Sequence, residues 1–290
     1  MKPPVFDYIA ADTVEAALAA LASAGADAKL IAGGQSLMPM LNFRLARPTL
    51  LIDINRIPGL DGIRVDGDRV RVGALVRHHK LETSTEIAEH LPVVHEAMAH
   101  VAHLAIRNRG TIGGSLSHAD PAAELPMMAV LLDAELTIRS ARGTRVEKAA
   151  DFFVDALTTT LAPDEMMCEI AFARTKPGTG WGFEEFARRD GDFALAAASA
   201  LLRIEGGRIA EPRIALMGVG VTPLRASAAE AMLAGQAPDA ELFQKAAEAV
   251  RAAIEPNSDL HASADYRRHL AGVLTERVLT AAAQRAGVQT

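Results

Sequence analysis

Two glycine clusters constrain this chain more than any other feature: AGGQS at residues 32–36 and GTIGGS at residues 110–115. Paired glycines mark places where a neighbour comes so close to the backbone that no side chain is allowed. A phosphate is one such neighbour. Its oxygens need several backbone N–H groups aimed at one point, and a helix starting beside the loop adds partial positive charge. Tight turns give the same letters, so neither cluster decides alone. Both together, in one region of mixed strands and helices, favour a dinucleotide.

The surroundings of the first cluster read as an α/β unit. Asp12 is placed to cap a helix through Ala24, with Glu15 at the capping-box position and Gly25 as the stop. Residues 28–32 form a short apolar run that reads as a buried strand ending at Gly33-Gly34. Ser36 is the expected N-cap of a helix over 37–45, with Pro39 in its first turn. TLLIDI at 49–54 reads as a second buried strand. GIRVDGDRVRVGA at 62–74 alternates around Asp66-Gly67, a hairpin signal. Helical spacing returns over 87–103. After the second cluster, Asp120-Pro121 reads as the cap and first position of a helix to about Leu132. Strands are expected over 134–139 and 169–173.

Past ARTKPGTGWG at 173–182, a Pro/Gly-rich connector, strands are expected at 183–188, 198–205 and 208–218. Helices follow at 226–233, 240–253 and 265–285. This sets a domain boundary near Lys176, giving domains 1–176 and 177–290.

Composition excludes several functions. The chain has 290 residues, a formal charge of −6 and a pI near 5.9, which disfavours a nucleic-acid partner. No apolar run reaches the roughly 18 residues of a membrane-spanning helix. Asp7 and Asp12 interrupt the start where a secretory apolar core would lie, so a cytoplasmic location is expected. The single cysteine, Cys168, excludes an internal disulfide and a cysteine-ligated iron–sulfur cluster within this chain. GVGVTPL at 218–224 begins like a dinucleotide fingerprint, but Pro223 takes the third glycine's place. HEAMAH places His95 and His100 five apart, which keeps them from sharing a metal on one helix face. His100 and His103 read as surface or packing residues, and EEFARRDGD at 184–192 as a solvated strand edge and turn. No nucleophile stands beside an obvious base.

Three stretches, LIAGGQSLMPMLNFRLARPTLLIDINRI, RNRGTIGGSLSHADPAAELP and FEEFARRDGDFALAAASA, resemble the FAD-binding medium subunits of molybdenum hydroxylases. That group includes aerobic carbon monoxide dehydrogenase and is similar to the flavin domain of xanthine dehydrogenase. The resemblance runs nearly end to end, through SDLHASADYRRHLAGVLTERVL. It implies an α+β chain: a vanillyl-alcohol-oxidase-type FAD-binding domain of two α/β subdomains, then a smaller C-terminal α+β domain with a three-stranded antiparallel sheet and helices. Ala32, Gly33, Gly34, Gln35 and Ser36 would wrap the FAD pyrophosphate, flanked by Ile31 and Leu37. Thr111, Ile112, Gly113, Gly114 and Ser115 would close from the other subdomain. Glu124 would meet the ribose or adenine side, and Met167 the adenine. Phe193 matches a tyrosine position beside the isoalloxazine, keeping the stacking face without the hydroxyl. Where many relatives carry lysine this chain has Glu185 and Ala187, which leaves Arg188 as the cation for a flavin oxygen.

The implied activity is electron exit. A small subunit with two [2Fe–2S] clusters and a large molybdopterin subunit would be the partners, in a dimer of heterotrimers. Electrons would pass through FAD to quinone, NAD or oxygen. The alternatives are a self-sufficient flavin oxidase of the vanillyl-alcohol type, and a binding module whose glycine clusters are only turns.

Overall fold

The computed structural model describes residues 2–288. The chain opens with β1 (Asp7–Ala10), α1 (Val14–Ala24), β2 (Ala28–Ile31), α2 (Leu37–Asn42) and β3 (Leu50–Asp53). Both β1 and β2 pair parallel to β3, so the sheet order is β1-β3-β2. Helix α1 packs Ala17, Leu18 and Leu21 against this sheet. Its cap is Thr13, whose hydroxyl accepts from the Ala16 N–H at 3.1 Å, and not the expected Asp12. The stop at Gly25 is as expected, with φ at +60°.

Next come β4 (Ile63–Asp66) and β5 (Arg69–Gly73), the hairpin signalled at Asp66-Gly67. The stretch of helical spacing over 87–103 is not one continuous helix. It contains α4 (Thr85–His90) and α5 (Pro92–Met98), preceded by α3 (His78–Thr83) and followed by α6 (Leu104–Arg107). Pro92 accounts for the break, since its ring fits a first helical turn and not an interior.

Then follow α7 (Ile112–His118), α8 (Glu124–Leu131), β6 (Glu135–Ser140), β7 (Gly143–Lys148), α9 (Ala149–Phe152), β8 (Phe153–Asp155), β9 (Thr158–Thr159) and β10 (Met166–Ala173). A five-stranded sheet, β4-β5-β10-β6-β7, backs the helices, and the largest apolar core lies between them. The Asp120-Pro121 pair does not open a helix. Asp120 Oδ1 accepts from the Ala122 N–H at 2.9 Å, a local turn, and the helix starts at Glu124.

The last portion holds β11 (Thr179–Phe186), β12 (Ala196–Glu205), β13 (Arg208–Met217), β14 (Leu224–Arg225), α10 (Ser227–Leu233), α11 (Ala240–Ala253) and α12 (Ala264–Arg285). The sheet has four strands where three were expected, the fourth being the two-residue β14. Strand β12 is buried on both faces. Ala197 and Leu201 join the main core, while Ala196, Ala198, Ala200 and Leu202 pack towards α10–α12. Gly180 and Gly182, taken in the sequence for connector residues, lie inside β11. A Cβ on Gly180 would overlap the Ala282 carbonyl oxygen, and one on Gly182 would overlap that of Val278. Helix α12 therefore rests directly on the strand backbone. Glu96 of α5 ties this portion to the helical region, accepting from Trp181 Nε1 at 2.8 Å and Arg285 Nη1 at 2.7 Å.

Candidate cofactor site

The first glycine segment leaves β2 and turns into α2. Gly34 has φ at +73°, a conformation that favours glycine. The Gln35 side chain turns back to donate to the Gly33 carbonyl at 2.8 Å. Among the described residues the backbone N–H groups of Gly33, Gly34, Gln35, Ser36 and Leu37 donate to no protein acceptor. Five consecutive free donors at a helix start fit an anion. Ser36 stands at the N-cap position, but its side chain makes no capping bond, so its exposed hydroxyl is also free.

The second segment is built differently. Its helix, α7, begins inside the cluster and not near Pro121. Thr111 caps it, Oγ1 accepting from the Gly114 N–H at 3.2 Å. The N–H of Ile112 donates to the Val76 carbonyl at 3.0 Å, that of Gly113 to Ala74 at 2.9 Å, and that of Ser115 to Thr111 at 3.0 Å. These donors are used within the protein. Gly113 is glycine because a Cβ would stand 2.6 Å from the Ala74 Cβ. Gly114 is exposed, and the only atom near its missing Cβ is Thr111 Oγ1.

The two segments touch. A Cβ on Gly33 would overlap the Arg109 carbonyl oxygen and lie 2.8 Å from the Gly110 Cα. What comes too close for a side chain at Gly33 is thus the second segment itself. Beneath Gly110 lies His78, buried, with neither ring nitrogen hydrogen-bonded; burial holds its pKa down to about 4. Two residues absent from either motif flank the contact: Asn55, just after β3, and Arg77, just before α3. Neither carried a local sequence signal, because their roles depend on neighbours distant in the chain.

The remaining candidates are distributed around this contact. Ile31 ends β2, and its carbonyl accepts from the Ile54 N–H at 3.1 Å. Glu124 is the first residue of α8; burial, with the Asp120 charge adding, pushes its carboxyl up to about 7. Met167 lies in β10 at a register shift, 4% exposed, within the main core. Arg188 and Phe193 lie on the loop between β11 and β12, Phe193 69% exposed and Arg188 4.0 Å from Asp192. That loop packs Gly191 against His103, just before α6.

The charged run at 184–192 is not a solvated edge throughout. The Glu185 side chain is 5% exposed, its Oε2 has no hydrogen-bond partner, and its Oε1 is 3.9 Å from His100 Nδ1. Burial first, and the Glu124 charge second, push Glu185 up to about 8. His100 is a packing residue as expected, its ring 5.0 Å from that of Phe183.

No described helix is long and apolar enough to cross a membrane. Residues 4–173 match the model of the FAD binding domain in molybdopterin dehydrogenase, and residues 181–282 that of the CO dehydrogenase flavoprotein C-terminal domain. The 6-hydroxypseudooxynicotine dehydrogenase complex subunit alpha of Paenarthrobacter nicotinovorans is 45% identical over 99% of this chain and 97% of its own. The carbon monoxide dehydrogenase medium chain of Hydrogenophaga pseudoflava is 40% identical over 97% of this chain and 98% of its own. A solved carbon monoxide dehydrogenase structure from Hydrogenophaga pseudoflava superposes with a TM-score of 0.96 at 42% identity, covering 98% of this chain and 99% of that one. Two consecutive family-model matches, relatives similar over nearly the whole chain and a glycine segment with five free amides lead to one assignment: the chain belongs to the FAD-binding medium subunits of molybdenum hydroxylases, oxidoreductase subunits of the carbon monoxide and xanthine dehydrogenase type with FAD as cofactor.

Proposed function

We propose that this chain is the electron-exit subunit of a molybdenum hydroxylase complex. It receives electrons from the [2Fe–2S] clusters of a small subunit and delivers them to a terminal acceptor: quinone, NAD or oxygen. A large molybdopterin subunit oxidises the substrate, and the assembly is a cytoplasmic dimer of heterotrimers. Bound FAD supplies a carrier between one-electron donors and the acceptor. The chain's own residues bind and orient it.

The observation that carries the reading is the run of free amides from Gly33 to Leu37. Those donors hold the diphosphate, with Ala32 and Ile31 beneath. The exposed surface of Gly114, with the Ser115 hydroxyl, closes the site from the other side, while Thr111, Ile112 and Gly113 fix that segment in place. Glu124 faces the ribose or adenine side, Met167 backs the adenine, Phe193 stacks on the isoalloxazine, and Arg188 offers positive charge to a flavin oxygen. In this reading residues 1–176 form a vanillyl-alcohol-oxidase-type domain of two subdomains, and 177–290 the C-terminal domain.

The substrate is not a property of this subunit. Relatives named for 6-hydroxypseudooxynicotine and for carbon monoxide match at 45% and 40% identity over nearly the whole chain. The test is to purify the chain, record its visible spectrum, and titrate the FAD-free form with FAD. One FAD per chain, held noncovalently, is expected. The loaded chain should exchange electrons with artificial donors and acceptors and oxidise no organic substrate until both partners are added. Turnover of an alcohol, amine or aldehyde by the lone chain at roughly 1–1,000 per second would replace this reading with a self-sufficient oxidase.

A further inference from the structure

The Arg77 guanidinium spans the gap between the two glycine segments. One nitrogen donates to the Arg109 carbonyl and another to Asn55 Oδ1 at 2.6 Å. Asn55 is itself held: Nδ2 donates to the Ala32 carbonyl at 2.8 Å and to Asp53 Oδ1 at 2.6 Å, and its N–H donates to the same Asp53 oxygen at 2.8 Å. Tyr8 completes the support, its hydroxyl donating to Asp53 Oδ2 at 2.6 Å. A continuous path of hydrogen bonds therefore runs from Ala32, at the start of the first segment, to Arg109, just before the second. It brackets the place where Gly33 lies on Arg109-Gly110.

Packing alone does not hold this side chain. One flank of Arg77 borders a cavity of about 270 Å³, also lined by Asn55, Arg56 and Lys80. Among the described residues no carboxylate forms an ion pair with it. A half-buried guanidinium with only neutral acceptors is costly to keep, so the geometry those acceptors enforce is the reason to look for. A fork that reaches two acceptors in fixed directions sets a distance, which a point charge does not.

We propose that Arg77 is a positioning residue for the cofactor: through Asn55 and the Arg109 carbonyl it locks the two glycine segments at the separation that presents the Gly33–Leu37 amides. The inference rests on the reading that FAD lies against those segments. Its effect is on FAD affinity, because an untied pair of segments has to be ordered when the cofactor binds.

The test is FAD titration of the FAD-free chain, wild type beside Arg77→Met, Arg77→Lys, Asn55→Ala and the Arg77→Met/Asn55→Ala double variant. Each single variant is expected to lose roughly tenfold in affinity, the scale of a few lost hydrogen bonds. Lysine keeps the charge but not the fork, so it should not rescue. The double variant should bind no worse than the weaker single, since both residues serve one tie. Wild-type affinity in Arg77→Met, full rescue by lysine, or losses that multiply in the double variant would overturn the proposal. Should Arg77→Met not fold, Asn55→Ala decides, and unchanged affinity there counts against the tie. Failure of the wild type to bind FAD would instead refute the underlying site.

Discussion

Replacing Glu185 with glutamine should make the protein more stable in mild alkali and leave it nearly unchanged in mild acid. Glu185 sits in β11 with its side chain 5% exposed and Oε2 unpartnered. The groups facing it are Glu124 at the start of α8 and His100 after α5, with Asp120, Asp190 and Glu96 acting on those two. Burial, then the Glu124 charge, raises Glu185 from an ordinary 4.5 to about 8. A carboxyl raised in this way binds its proton more tightly in the folded state. Its favourable contribution is complete below about pH 4.5 and is lost as pH climbs towards the folded value.

At about 1.4 kcal/mol per pH unit, full ionisation of Glu185 would cost up to about 5 kcal/mol, and relaxation with partial water access brings this to about 2 kcal/mol. Glutamine keeps the volume and never ionises. Urea unfolding of the FAD-free chain is the assay. Near pH 4, roughly, Glu185→Gln should match wild type within about 0.5 kcal/mol; near pH 9 it should exceed wild type by about 2 kcal/mol. A stability difference that is the same at both pH values would refute the buried, proton-holding account of Glu185.

The glycines of the two segments should separate by cause. Gly33→Ala drives a Cβ into the Arg109 carbonyl and should cost about 1–3 kcal/mol in urea unfolding, even without FAD. Gly114→Ala sets a Cβ 2.8 Å from Thr111 Oγ1 and meets no backbone; displacing that capping hydroxyl should cost about 1 kcal/mol of FAD-free stability, with a further loss of FAD affinity. Phe193→Ala, at a residue 69% exposed, should leave FAD-free stability unchanged, and should weaken FAD binding by about 1 kcal/mol with a shifted flavin spectrum. Burial pushes the Cys168 thiol up to about 11, so a thiol reagent should label it near neutral pH only after unfolding, as followed by mass spectrometry.

Much of the fold was legible because its elements carry local signals. Helix α11 lies where its period placed it, and β2, β3, β12 and β13 lie within two residues of the expected spans. The misses have physical reasons. Strand β1 is a four-residue edge strand, largely exposed, whose alternation is too short to read. The break at Pro92 was readable from proline chemistry alone. Glu185 looked solvated because its neighbours in sequence are charged, whereas its burial comes from α5 and α8, distant in the chain. Gly180 and Gly182 looked like a linker because the helix that demands them lies about a hundred residues onward.

The candidate site shows the same limit more sharply. The sequence treats the two glycine clusters as equivalent phosphate loops, and they are not. In the first, Gly34 allows the turn and five amides stay free. In the second, the amides from Ile112 to Ser115 are consumed by Val76, Ala74 and Thr111. Gly33 and Gly113 exist for contacts of protein with protein. A glycine required by a neighbouring backbone and one required by a ligand leave the same letter, and only the location of the missing Cβ distinguishes them. The donors therefore belong to the first segment, while the second acts as a rigid wall against which it is held. A device of that kind needs something to set the spacing, and no glycine can do so. That requirement is what gives Asn55 and Arg77 their place, although neither belongs to a glycine cluster.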